Sequence, residues 1–458
     1  MKEKDEFILD IKRLGINGEG IGFYNKCAVF VNNAIPGEGH KVVVKESLKN
    51  MAYADSIEIK RQSNQRVQPK CPYYFECGGC NTSHISYDAM LKYKKEILKE
   101  SLQRYTDLNI RTFEINDTVP SLNQQCYRNR SQLIVRQNKD NLNVCMLKAK
   151  TNQTIYIDNC LVQDPVINEL NEKILRLAEK NNISAYIPKF NRGVLRYLVT
   201  RVNAKKEALV CLICGEKNLK IKALAKDIIN IPNVVGVYES FNTSKKEGVF
   251  FTDEITLLEG KPYIIEELGN VKYRIYPNTF FQLNTNQAKN MYDLVLKACK
   301  LSRKETVLDA YCGVGSIGLY LAKMAKEVIG IEYNKDSVEA ANENAKLNKI
   351  TNAKFYQGDA THLLPKMIEE GIQIDCLVAD PPRTGLTDEF INAVIAAKIK
   401  RVVYVSCNPA SFAKDLQKLS EHYKVNYITP VDMFPQTALV ETVVTLVLRD
   451  RNETSQHK

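Results

Sequence analysis

"ETVLDAYCGVGSIGLYLAKM", residues 305–324, decides the fold. It runs from a short apolar segment through Gly313-Val314-Gly315 into an apolar stretch long enough for a helix. A strand that turns through glycines into a helix is the opening unit of a doubly wound α/β sheet. Glycines there let backbone N–H groups and the helix start come close to a nucleotide-like ligand. Strand–helix alternation begins at Val271 and continues downstream. "EVIGIEYN" places Glu332 at the end of the next strand, 19 residues after Gly313; "FYQGDA" offers Asp359 at a third strand end and "DCLVADPPRTG" offers Asp380 at a fourth. A carboxylate at the Glu332 position can accept two hydrogen bonds from ribose hydroxyls. Gly313, Gly315 and Gly318 are spaced Gly-x-Gly-x-x-Gly, so the glycines alone do not choose between dinucleotides and S-adenosylmethionine. The order of acids at successive strand ends suits S-adenosylmethionine, which carries an adenosine and an amino-acid tail but no phosphates, better than NAD. The competing reading is that the same acids only cap helices.

"VVYVSCNPASF", residues 402–412, supplies the chemistry. Val402 to Val405 reads as a buried strand that Pro409 should stop, which puts Cys407 at a strand's carboxyl end, where open sheets keep their ligands. A thiol there can be core filler. Beside a methyl donor it has a use. A pyrimidine carbon is a poor nucleophile, but adding a thiolate to carbon 6 of uracil gives an enolate whose carbon 5 can attack a sulfonium methyl. A base must then remove the carbon 5 proton so that the thiolate can leave, so the route needs one Cys and one carboxylate. Glu441, in "MFPQTALVETVVTLVL", lies just before the final apolar strand and is the candidate base; an ordinary strand-end acid is the alternative. Arg383 follows Asp380-Pro381-Pro382, where enzymes that methylate exocyclic amines usually place an aromatic residue, so an amine target is disfavoured.

Upstream, residues 1–60 hold short alternating segments punctuated by Gly, which predicts a small β-barrel. Residues 61–270 mix basic loops, strands and a few helices, with Cys71, Cys77 and Cys80 in "CPYYFECGGC". Three thiols this close, wrapped around Gly78-Gly79, point to ligation. A fourth thiolate is needed, with Cys126, Cys145 and Cys160 the nearby candidates; zinc and an iron–sulfur cluster both accept four Cys. Cys211 and Cys214, in "EALVCLICGE", sit in one apolar strand and read as core. The chain has 458 residues, 44% hydrophobic and 26% charged, as in a soluble multidomain protein. The charged start "MKEKDEF" offers no signal segment, and no apolar run approaches the ~18 residues of a membrane span. The expected compartment is the cytoplasm, where the thirteen cysteines are mostly core thiols or metal ligands rather than disulfides. Net charge is +11, and residues 61–150 carry 15 Lys and Arg against 8 Asp and Glu, the footprint of a phosphate-backbone binder. The tail "RDRNETSQHK" is polar and expected to fray.

"FFQLN" (280–284), "DAYCGVGSIGL", "DPPRTGL", "YVSCNP" and "FPQTALVETV", in this order, resemble the RNA uracil-5-methyltransferase family over nearly the whole chain. The barrel resembles a TRAM domain, and "CPYYFECGGC…H" followed by Cys160 in "IDNC" resembles the [4Fe–4S] site of the 23S rRNA branch. The resemblance implies a Rossmann-like class I methyltransferase domain over 271–458, a TRAM-like barrel over 1–60 and a central α+β iron–sulfur domain over 61–270, with 1–60 and 61–270 contributing RNA binding. It implies Cys407 as nucleophile, Glu441 as base, and Cys71, Cys77, Cys80 and Cys160 as cluster ligands. It further implies methyl-donor contacts from Gln282, Tyr311, Glu332 and Asp380, with Asp359 near the adenine. Leu439 stands where the family commonly has His, and Ser83 precedes His84 where Gln is usual. The expected substrate is a loop uridine of 23S ribosomal RNA, with no protein partner implied. The same reaction on the T-loop uridine of tRNA is the alternative, a branch that typically lacks the barrel and the cysteine cluster. A non-catalytic RNA-binding protein with a degenerate methyltransferase fold is the reading from another class, and it must account for intact Cys407 and Glu441.

Overall fold

The computed structural model describes residues 1–139, 141–244, 248–252 and 255–450; the polar tail, from 451 on, lies outside the described residues. Strands β1 (Glu6–Leu14), β2 (Gly20–Tyr24), β3 (Cys27–Val31), β4 (Gly39–Ser47) and β5 (Met51–Arg61) close into a barrel in the order β1-β2-β3-β5-β4. The alternation turns Leu9, Ile11, Val29, Val31 and Val42 inward to form its core. Closure brings backbones into contact at β2: a Cβ on Gly22 would lie 2.5 Å from the Asp10 carbonyl oxygen.

Helix α1 (Tyr87–Tyr105) and the short β6 (Glu114–Ile115) come next. The central sheet takes β7 (Arg130–Asn138), β8 (Asn141–Leu147), β9 (Thr154–Tyr156), β10 (Leu195–Val202), β11 (Ala208–Cys214), β12 (Val234–Phe241) and β13 (Ile255–Gly260), in the order β13-β12-β11-β10-β7-β8-β9. Helices α2 (Pro165–Lys180) and α3 (Lys220–Ile228) pack on one face. The other face merges with the core of the C-terminal domain. Both faces being covered, β10 and β11 are buried at every residue. Cys211 and Cys214 are core thiols, and three residues apart on a strand they face opposite sides, Cys211 toward the C-terminal domain and Cys214 toward α2 and α3.

After the hairpin β14 (Ile264–Leu268) and β15 (Val271–Ile275) come α4 (Thr285–Cys299), β16 (Thr306–Ala310), α5 (Ser316–Leu321), β17 (Glu327–Glu332), α6 (Lys335–Leu347), β18 (Ala353–Gln357), α7 (Ala360–Glu369), β19 (Cys376–Ala379), α8 (Asp388–Ala396), β20 (Arg401–Ser406), α9 (Pro409–Leu419), β21 (Tyr423–Val431) and β22 (Glu441–Leu448). Their sheet runs β18-β17-β16-β19-β20-β22-β21-β6. The strands from β18 through β20 are parallel, and β22 is antiparallel to both β20 and β21. Strand order reverses between β16 and β19, so the ligand crevice of an open α/β sheet falls at their carboxyl ends.

The chain does not divide cleanly near residue 270. Helix α1 packs against α9, β6 pairs with β21, and Leu98 and Leu102 enter the core beneath β19 and β20. Residues 87–115, expected in the central segment, thus belong physically to the C-terminal sheet. Among the described residues no helix is long and apolar enough to cross a membrane.

Candidate active site

Register builds the site. Ala310 pairs with Ile331 and with Ala379, so Tyr311, Glu332 and Asp380 emerge on one rim. Ser406 pairs with Thr442 across the antiparallel β20–β22 ladder. The next residue outward on each strand is Cys407 on one and Glu441 on the other. Antiparallel β22 is what delivers a strand's first residue to the rim where its parallel neighbours end.

The "SCNP" segment folds as its chemistry dictates. Pro409 starts α9, and the Asn408 side chain caps it by accepting from the Ala410 N–H at 3.1 Å. The Asn408 amide also donates to the Arg383 carbonyl oxygen at 2.9 Å, and the Ser411 hydroxyl donates to the same oxygen at 3.0 Å. Asp415 on α9 accepts from the Leu386 N–H at 2.8 Å. The loop of Asp380 and Arg383 is therefore stitched to the loop of Cys407.

The electrostatics are those of a pocket with too many acids. Burial pushes Glu441 up to about 8; Asp380 adds to the rise, while Lys94 and Arg383 oppose it. Burial alone accounts for Asp380 at about 7. Asp309, in β16, is pushed up to about 8 by burial, then by Asp380 and Glu332. Its Oδ2 accepts from the Gly318 N–H at 2.7 Å, while its buried Oδ1 has no hydrogen-bond partner. The Cys407 thiol is pushed up to about 12 by burial, Glu441 and Asp380, against the pull of Arg383. Such a site calls for a cation. S-adenosylmethionine carries a sulfonium and an ammonium, so the residues fit it, with the orphaned Asp309 oxygen part of that fit.

The remaining residues fall as follows. Glu332 accepts from the Gly313 N–H at 3.0 Å and from the Asn334 N–H at 2.8 Å, which fixes its carboxylate beside the glycine turn. Tyr311 adopts a left-handed φ of 63° and sets its ring edge-on to Phe390. Gln282 is buried, and Asn129 of the central segment donates to its carbonyl oxygen at 3.0 Å. Asp359 is exposed and caps α7 by accepting from the Thr361 N–H at 2.8 Å, so the capping reading is realised at this position. Lys94 and Asp432 carry no motif that marks them in the sequence; Asp309 opens "DAYCGVGSIGL", but it lies inside the strand rather than at its end, so the strand-end pattern does not select it.

Cys71, Cys77, Cys80 and Cys160 line one cavity of about 640 Å³, with Arg128 and Gln436 also in its wall. Burial and the neighbouring thiols push Cys80 up to about 12. Cys126 is exposed with φ 56°, and Cys145 is wholly buried in β8. Among the described residues no group of three or more His, Cys, Asp or Glu forms a ready metal-ion site.

Strand order, glycine turn and acidic rim together define a class I, S-adenosylmethionine-dependent methyltransferase. A family model described as tRNA (Uracil-5-)-methyltransferase matches residues 86–449, and the chain belongs to that family. It is an RNA (uracil-5-)-methyltransferase. It is 39% identical over 451 residues, 98% of this chain and 97% of its relative, to a protein of Halalkalibacterium halodurans described as an RNA methyltransferase. A protein of Listeria monocytogenes with the same description is 37% identical over 455 residues, covering 98% and 99%. The solved tRNA (uracil-54, C5)-methyltransferase of Pyrococcus abyssi, in complex with S-adenosyl-L-homocysteine, is 30% identical with a TM-score of 0.76, covering 96% of this chain and all of that one. A tRNA enzyme that matches over this length, barrel included, corrects the expectation that the barrel separates the two substrate branches.

Proposed function

We propose that the chain methylates carbon 5 of a loop uridine in 23S ribosomal RNA, in the cytoplasm, with Cys407 as nucleophile and Glu441 as base. The observation that carries the chemistry is the β20–β22 register, which sets a thiol and a carboxylate side by side on the rim that holds the donor acids. The donor supplies an electrophilic methyl group and a positive charge that relieves the crowded acids. The Cys407 thiol gives its proton to water, with Arg383 favouring the thiolate, and Sγ adds to carbon 6. Carbon 5 of the resulting enolate then takes the methyl group as the carbon–sulfur bond of the donor breaks to leave a neutral thioether. Glu441 removes the carbon 5 proton, the carbon 6–sulfur bond breaks, and the thiolate returns. Gln282, Tyr311, Glu332 and Asp380 hold the donor, with Asp359 near the adenine.

The barrel and the basic 61–150 stretch bind the RNA backbone. Cys71, Cys77, Cys80 and Cys160 hold a [4Fe–4S] cluster, a reading supported by the shared cavity, the four-thiol donor set and the sequence resemblance. The cluster has a structural role, since thiolate addition contains no redox step. Protein purified without oxygen should carry iron and sulfide in near-equal amounts; stoichiometric zinc without sulfide overturns the cluster. The likeness to the Pyrococcus tRNA (uracil-54, C5)-methyltransferase favours a second reading, a T-loop uridine of tRNA.

Two experiments test the function. Mass spectrometry of 23S rRNA and tRNA fragments from cells lacking the protein should show one 23S uridine losing its methyl group; loss from tRNA alone selects the second reading. Cys407→Ala should abolish methylation yet still bind S-adenosylmethionine. Glu441→Gln should accumulate a protein–RNA species that survives denaturing electrophoresis. A Cys407→Ala enzyme that still methylates returns Cys407 to the core-filler reading.

A further inference from the structure

Lys94 is the most buried ammonium among the described residues, at 0% exposure, and it does not come from the C-terminal domain's own strand–helix units. It enters from α1. Its Nζ reaches Asp432 Oδ1 at 2.5 Å, the Leu439 carbonyl oxygen at 2.7 Å and the Phe434 carbonyl oxygen at 3.3 Å. Three acceptors match the three protons of an ammonium; burial pushes the Lys94 pKa down, and Asp432 first, then Glu441, favour the charged form against it. Those acceptors lie on the segment that descends from β21 into Glu441. Asp432 is held from its other oxygen by the Tyr87 hydroxyl at 2.7 Å, also on α1.

The charged and titratable groups that face Glu441 come from four elements: Asp380 and Arg383 beyond β19, Cys407 beyond β20, Tyr292 on α4 and Lys94 on α1. Lys94 and Arg383 are its two cations. Arg383 is exposed, whereas Lys94 is sealed from solvent. A sealed cation is screened neither by salt nor by the substrate's own charge.

We propose that Lys94 is a positioning residue for Glu441: it ties down the 432–439 segment that leads into the acid and supplies the fixed positive charge behind it. This rests on Glu441 acting as the base. The segment next to Glu441 carries Leu439 in place of the His common in the family, and what Lys94 uses of Leu439 is its carbonyl oxygen, so the anchor does not depend on that side chain.

The test follows adduct resolution in single turnovers, with S-adenosylmethionine and an RNA fragment the wild type methylates, read on denaturing gels between pH 5.5 and 9. Lys94→Met alone strands a buried Asp432 and is prone to misfold. The double variant Lys94→Met/Asp432→Asn removes the pair without leaving a lone charge. Its pH midpoint for resolution should move up by about one unit, slowing resolution about tenfold at pH 7. Lys94→Arg, which keeps the charge, should hold the wild-type midpoint while changing the maximal rate. A double variant that binds S-adenosylmethionine and keeps the wild-type midpoint overturns the proposal, as does a shifted midpoint in Lys94→Arg. Glu441→Gln separates the two layers: it should hold the adduct at every pH, and if it does not, the base assignment fails rather than the part of Lys94.

Discussion

At the scale of the residue, the site is built at the expense of stability. Glu441 is held near 8 in the folded chain against 4.5 for a free carboxyl, with burial the main cause. The sign follows from linkage. As pH rises from about 4.5 to about 8 the unfolded chain gives up this proton while the folded chain keeps it, so the unfolded state gains and stability falls across that window. Asp380 and Asp309 act in the same direction. Glu441→Gln should therefore melt at a higher temperature than the wild type, with the gap widest at pH 8 and closing toward pH 5. Calorimetry at both pH values checks this, and a gap that does not change with pH counts against a carboxyl held protonated by burial. S-adenosylmethionine should bind more tightly as pH rises through the same window, because the acids attract its positive charge only once they have ionised.

At the scale of the element, legibility followed the range of the interactions. The parallel strands and their acids could be read because an apolar run, a Gly or Asp and a helix follow one another within about twenty residues, and each step has a local cause. The barrel was readable for the same reason, through alternation and turn glycines. Antiparallel β22 was not: its eight residues "ETVVTLVL" are compatible with either direction, and only pairing with β20 brings Glu441 to the rim. Helix α1 was opaque too. "YDAMLKYKKEILKESLQRY" holds Lys92, Lys94, Lys95 and Lys99; Lys94 falls on the stripe of Met90, Ile97 and Leu98, but nothing local supplies a partner for a buried ammonium, because those of Lys94 lie 338 to 345 residues away. Among the cysteines, spacing selected Cys71, Cys77 and Cys80 but left the fourth open. Cys160 shares one cavity with all three by tertiary folding, while Cys145, a residue of β8, shares a neighbouring cavity with Cys77 and Cys80 but not with Cys71.

At the scale of the whole molecule, the three segments meet on the loop before Glu441. Gln436 has a left-handed φ of 70°, and its carbonyl oxygen accepts from the N–H groups of Asn81 and Thr82, both 3.1 Å away and directly after Cys80. The Tyr127 hydroxyl donates to the Pro435 carbonyl oxygen at 2.9 Å. Asn81 joins all three parts with one side chain. Its Nδ2 donates to the Asn17 carbonyl oxygen of the barrel segment at 2.5 Å, and its Oδ1 accepts from the Ala438 N–H at 2.9 Å. Asn81→Ala removes both bonds at once. Each is worth about 1 kcal/mol net, and the buried Ala438 N–H is left without its acceptor, so the loss falls chiefly on the 436–440 segment. Hydrogen exchange there should speed up about tenfold or more, since about 1.4 kcal/mol is a factor of ten in the opening equilibrium. Exchange in β16 and β17, which carry the donor acids and contact none of these groups, should stay as in the wild type. Adduct resolution should slow while S-adenosylmethionine binding holds, because the altered loop leads into Glu441 and not to the donor rim. Unchanged exchange at 436–440 would show that Tyr127 and the Lys94 ammonium hold the loop without Asn81, leaving the apolar packing of Leu14 and Ile35 with Ala438 and Val440 as the barrel's tie to the base.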